Sequence, residues 1–150
     1  MENTEYDVLT EQLLEQPCWV VDFLPEQVPF GSAGQYAAVE AYYRSPPQID
    51  ALYAAFAQVL LRLNCYVDFA VTDGRVWQEN PAPQELRAHI AACVSDAEWR
   101  NILLPAEETL ITFSGGDLYF TLYHPSEKLL ALIRPLAAAA GLFVRKGNDA

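Results

Sequence analysis

Two alternating runs meet at a pair of glycines in TLITFSGGDLYFTLY, residues 109–123, and no other stretch constrains the fold as tightly. Successive side chains on a strand point to opposite faces. Ile111, Phe113, Leu118, Phe120 and Leu122 therefore form one apolar set, and Thr112, Ser114, Tyr119, Thr121 and Tyr123 form a mixed one. Gly115 and Gly116 supply the positive φ that tight hairpin turns require. The stretch predicts a β-hairpin with one side buried.

The same division recurs along the chain. In CWVVDFL, residues 18–24, Trp19, Val21 and Phe23 oppose Cys18, Val20, Asp22 and Leu24. In CYVDFAVT, residues 65–72, Val67, Phe69 and Val71 oppose Tyr66, Asp68 and Ala70. In LFVRK, residues 142–146, Leu142 and Val144 oppose Phe143 and Arg145. An apolar face of this kind belongs under helices, while a face of Asp, Thr, Tyr and Arg meets water or a partner. An unpaired carboxylate is costly in a core. Asp22 is therefore expected on the second, solvent-facing side, with Asp68 as its nearest like residue.

Helices fill the intervals. Residues 4–15 form one, ended by Pro17, and residues 35–44 another, with Tyr36, Val39 and Tyr43 on a stripe. Residues 47–63 carry the strongest pattern: Ile49, Leu52, Tyr53, Phe56, Val59, Leu60 and Leu63 recur at helical spacing. Asp73-Gly74 predicts a turn returning as the strand RVWQE. Residues 84–94 are helical. Ser95 and Glu98 then match a capping box, predicting a short helix with Trp99 and Ile102. Ser126 caps a last helix to about residue 140, with a kink or break expected at Pro135. The sum is a single α+β domain over residues 1–150. Its expected form is a mixed, mostly antiparallel sheet with helices packed on one face, a ferredoxin-like or related open sandwich. Trp19, Val21, Phe23, Phe56, Leu60, Phe69, Phe113, Phe120 and Ile133 are its predicted core.

The formal net charge is -11, unevenly placed. Residues 1–50 hold the acids Glu2, Glu5, Asp7, Glu11, Glu15, Asp22, Glu26, Glu40 and Asp50 against Arg44 as their one base. This sign excludes a nucleic-acid binder and disfavours an anionic membrane surface. It leaves room for a basic protein partner. The acidic, polar start ENTEYD has no basic or apolar leader segment, and the expected location is cytoplasmic. Cys18, Cys65 and Cys93 lie far apart with no Cys-x-x-Cys pair, so neither a disulfide framework nor a zinc site is expected.

Catalytic signals are weak. FGSAGQY has neither the spacing nor the lysine of a phosphate loop. His89 and Cys93 can share a helix face, but no further metal ligand has suitable spacing. No cofactor is expected. The favoured expectation is a non-catalytic interaction or inhibitor module acting on a basic partner, as small acidic immunity proteins do. Its expected binding residues are Asp22, Glu26, Tyr36, Glu40, Tyr42, Asp68, Tyr119 and Tyr123. The alternative is a small-molecule-binding protein or small enzyme with a pocket between the sheet and residues 25–46. A homodimer pairing its open sheet faces is a third arrangement.

Overall fold

The computed structural model describes residues 2–147 except Ser32 and Asp96. In chain order the elements are α1 (Asn3–Leu13), β1 (Cys18–Asp22), α2 (Tyr36–Tyr43), α3 (Gln48–Leu63), β2 (Ala70–Thr72), β3 (Trp77–Glu79), α4 (Pro83–Ser95), β4 (Trp99–Leu104), β5 (Thr109–Ser114), β6 (Tyr119–Tyr123), α5 (Glu127–Ala139) and β7 (Phe143–Lys146). The strands form one sheet in the order β3-β2-β4-β5-β6-β1-β7, and every neighbouring pair is antiparallel. The fold is an α+β open sandwich.

Within it, β1, α3, β5, β6, α5 and β7 run in chain order as β-α-β-β-α-β, with α2 inserted after β1 and β2-β3-α4-β4 inserted between α3 and β5. Their strands stand in the order β7-β1-β6-β5, so β1 lies between the two strands that α5 connects. That is the split β-α-β arrangement of a ferredoxin-like unit. The segment β2-β3-α4-β4 extends the same sheet beyond β5.

The apolar face expected from alternation is the main core. Val21, Phe56, Leu60, Phe69, Phe113, Phe120 and Ile133 are buried in one cluster, with Trp19 and Phe23 packed at its margin. Phe56, Phe113 and Phe120 meet ring to ring at 4.7–6.0 Å. Helices α3, α4 and α5 supply the covering layer. The periodic residues of α3 are all buried.

Four local expectations change. Residues 99–104 form the strand β4, not a helix. Ser95 bonds back to the Ala91 carbonyl within α4, and Glu98 pairs with Arg100 instead of capping. The strand predicted at 65–72 is only Ala70–Thr72, because Asn64 and Asn80 hold the preceding backbone in a turn. Helix α5 runs through Pro135. Residues 131, 134 and 135 face solvent, so water can satisfy the carbonyl that proline leaves unpaired. Finally, the second face is not left bare across its width. Helix α1 lies over its β2-β4-β5 half, where Tyr6 and Leu13 pack on Ala70, Leu103 and Leu110.

Candidate functional site

The other half of the second face, over β6, β1 and β7, carries no α1. Register assembles its floor. Cys18 pairs with Tyr123, Val20 with Thr121 and Asp22 with Tyr119 across β1 and β6. Val20 also pairs with Arg145, and Asp22 with Phe143, across β1 and β7. Residues opposite each other in an antiparallel pair share a face, so these side chains stand together. Helix α2 forms the wall. Tyr36, Glu40 and Arg44 recur every four residues, which places them on one stripe, and all three line the cleft. The enclosed space is about 310 Å³ and is also bordered by Gln27, Leu118 and Gly147.

Asp22 sits on that floor in an ion pair. The Arg145 side chain donates from Nε at 3.2 Å and from Nη2 at 2.9 Å to Asp22 Oδ2. The Leu24 amide donates to Asp22 Oδ1 at 3.4 Å. The two side chains are only 10% and 17% exposed. Asp22 is thus on the expected face but not in open water, and the reason is a partner 123 residues away in sequence. A carboxylate so enclosed needs its counter-charge.

The wall has its own polar chain. The Tyr36 hydroxyl donates to Glu40 Oε2 at 2.9 Å, and Arg44 Nη2 lies 3.5 Å from the same oxygen. Arg44 Nη1 donates to the Gly116 carbonyl at 2.8 Å, which ties α2 to the β5-β6 turn. Burial, then the bond to Glu40, raises the Tyr36 pKa. Burial, then Asp117 and Asp22, raises that of Tyr119. Burial, then Cys18, raises that of Tyr123. Each ring is therefore a neutral phenol at ordinary pH, able to donate or accept a hydrogen bond.

Of the eight residues expected from sequence, Asp22, Tyr36, Glu40, Tyr119 and Tyr123 come together here. Glu26 is exposed in the loop before α2. Tyr42 points away from the cleft, exposed, with its ring edge against Tyr43. Asp68 is not beside Asp22. It precedes β2, four strand positions from β1, or about 19 Å, and it accepts a bond from Asn80. The sequence reading missed Arg44 and Arg145. Arg145 was legible as a second-face residue by alternation, but nothing local marks it as the partner of Asp22.

Elsewhere, His89 belongs to a half-buried network. Arg100 Nε donates to His89 Nδ1 at 2.8 Å, and His89 Nε2 lies 3.1 Å from Gln78 Oε1. Burial, then the Arg100 charge, lowers the His89 pKa. Cys93 is buried nearby, and burial pushes its thiol up to about 11. Among the described residues no group of three or more His, Cys, Asp or Glu side chains is placed to hold a metal ion. No helix among them is long and apolar enough to cross a membrane.

Compared with known proteins, the chain matches no family model, no curated protein and no solved structure.

Proposed function

We propose that this chain is a non-catalytic interaction module of the cytoplasm that docks a basic protein partner on the α2 side of its second sheet face. The observation that carries this reading is helix α2 itself. Its sequence is YAAVEAYY, seven of eight residues apolar or aromatic, yet none of them is buried. Val39 and Tyr42 face outward, and Phe30 in the preceding loop is fully exposed. Clustered exposed apolar side chains with a polar rim mark interaction sites, and tyrosine is prominent at interface hot spots.

Charge supports a cationic partner. No lysine or arginine occurs before Arg44, while α1 and the α2 region carry Glu5, Asp7, Glu11, Glu15, Glu26 and Glu40. Both helices flank the second face, so the field is concentrated on that side. Such a field speeds encounter more than it sets final affinity. With a co-purified partner in hand, raising salt is expected to lower the association rate more than it raises the dissociation rate. The double variant Glu26→Gln/Glu40→Gln should slow association in the same way. An association rate indifferent to salt would overturn the basic-partner reading.

The 310 Å³ cleft supports a second reading, a small-molecule-binding protein or small enzyme, because it gathers three phenols and two ion pairs against the sheet. Substrate turnover lost in Asp22→Asn would favour it over docking.

A further inference from the structure

The cleft beside α2 differs from the rest of this acidic chain in carrying no net charge. Its lining holds two carboxylates, Asp22 and Glu40, and two guanidinium groups, Arg44 and Arg145, whereas the whole chain stands at -11. Each charge is met inside the cleft. Arg145 donates twice to Asp22 Oδ2, and Arg44 Nη2 lies 3.5 Å from Glu40 Oε2. The phenols beside them are neutral. An anion entering here meets guanidinium groups already turned to carboxylates, and a cation meets the reverse. A zwitterion has to part the Asp22–Arg145 pair, where either charge left alone is costly. An uncharged ligand leaves both pairs whole.

Hydrogen-bonding capacity remains after this pairing, and it is of mixed kind. Both cations sit on one oxygen of their carboxylate. Asp22 Oδ1 keeps only the Leu24 amide at 3.4 Å, longer than a good N–H···O bond. Glu40 Oε1 takes no bond among the described residues. Arg145 Nη1 is a spare donor on the floor. Tyr119 and Thr121 stand two residues apart on one face of β6, and their hydroxyls bond to no other group among the described residues. The cleft thus offers two acceptors, one donor and two hydroxyls, on both its wall and its floor. Carbon surface lies between them, from the phenol rings and Leu118. A hydroxyl both donates and accepts, so a ring carrying several can meet all these groups at once. Its C–H bonds can rest on the negative faces of the phenols. A flat base or an amide carries fixed donors and acceptors in one plane and cannot serve wall and floor together. The space of about 310 Å³ is at the low end of the range for ligand sites, roughly 300–1,000 Å³, which suits one ring.

We infer that the cleft binds an uncharged, polyhydroxylated ring the size of a single sugar. The inference rests on the small-molecule reading above and names its ligand class. It leaves the docking surface untouched, because Val39 and Tyr42 lie on the outward side of α2.

The test is a set of titrations of isotope-labelled full-length protein, followed by NMR. The neutral probes are the methyl glycosides of glucose, galactose and mannose, and myo-inositol. Glucuronate and protonated glucosamine put a charge on the same kind of ring. Free glycine, adenosine and benzoate stand for other small molecules. At least one neutral probe is expected to shift the amides of Asp22, Tyr119, Thr121 and Arg145, and to bind about tenfold more tightly than either charged ring. Tyr119→Phe and Thr121→Val each remove one hydroxyl and spare both ion pairs. Each should weaken that probe about fivefold and leave the melting temperature near the parent's. Methyl lactoside and methyl maltoside carry a ring at the end of a longer chain: tighter binding than the single rings upholds the class with a glycan end as its source, and weaker binding upholds it with a free ring. Charged rings that bind as tightly as neutral ones, or a neutral ring indifferent to both variants, would overturn the inference. Cleft shifts from glycine, adenosine or benzoate, with none from a neutral ring, would overturn it and leave the small-molecule reading standing. No cleft shift from any probe would overturn both.

Discussion

Helices α1 and α2 flank the same sheet face and use it in opposite ways. Helix α1 is mostly polar, NTEYDVLTEQL, yet it buries Tyr6, Thr10 and Leu13. Helix α2 is mostly apolar, YAAVEAYY, and buries nothing. Spacing accounts for the difference. Residues 6, 10 and 13 fall on one stripe at i, i+4 and i+7, which is all a docking face needs. In α2 the apolar residues surround the helix, so no single orientation can bury them. Tyr43 packs on Phe23, and Tyr36 and Glu40 wall the cleft, while Val39 and Tyr42 stay outside. Burial follows the stripe and not the composition. Apolar side chains that the fold leaves out are the ones available to something else.

The main core sets the scale against which both helices are measured. Phe120→Ala should cost about 3–5 kcal/mol in urea unfolding, because the ring is fully buried among Phe56 and Phe113. A variant as stable as the parent would show that the two sheet faces have been exchanged.

The next largest effect belongs to the floor of the cleft. Asp22→Ala should cost about 3 kcal/mol, since it strands the Arg145 guanidinium in a largely enclosed site. Replacing both residues with apolar side chains should cost less than losing Asp22 alone. A double variant that is worse than the single one would mean that the pair itself, and not the stranded charge, holds the strands together.

On the α1 side, Leu13→Ala should cost about 2–3 kcal/mol if the helix is a structural cover. Tyr6→Phe should cost about 1 kcal/mol by removing the hydrogen bond its hydroxyl donates to Glu79. Burial, then that bond, pushes the Tyr6 pKa up to about 12, so the phenol stays neutral. If neither change is felt, α1 is as loosely used as the outer surface of α2.

A smaller, pH-dependent loss should come from the opposite face. His89 has a folded pKa below its unfolded value, so the unfolded chain binds the extra proton first. Its contribution is present above the unfolded pKa of about 6.5 and is lost as pH falls through the window beneath it. Stability should decline from pH 7.5 to 5 in the parent and decline less in His89→Gln. Equal slopes would remove His89 as the cause. Neither α1 nor α2 contains a histidine, so variants of the two helices should keep the parent's slope.

Much of this was legible before any coordinates. Helix α3 announced itself through seven apolar positions at helical spacing, and the β5-β6 hairpin through its alternation around two glycines. Strand β4 did not, because Arg100 occupies an inward position where an apolar residue was expected. Its guanidinium is buried against His89 and Glu98, contacts invisible to periodicity. The Ser95 and Glu98 spacing then suggested a helix cap where none forms. Likewise alternation put Asp22 on the correct face but could not reveal Arg145, since their contact depends on β7 closing beside β1. Local pattern identifies faces, whereas ion pairs depend on strand order.

The most direct test of the contrast between the two helices is a single urea titration of the double variant Val39→Ser/Tyr42→Ser. These are the outward apolar residues of α2, so the midpoint and slope should match the parent to within about 0.5 kcal/mol per site. A drop of several kcal/mol would show that α2 is held by those side chains, and that they are part of the fold and not a surface kept for a partner.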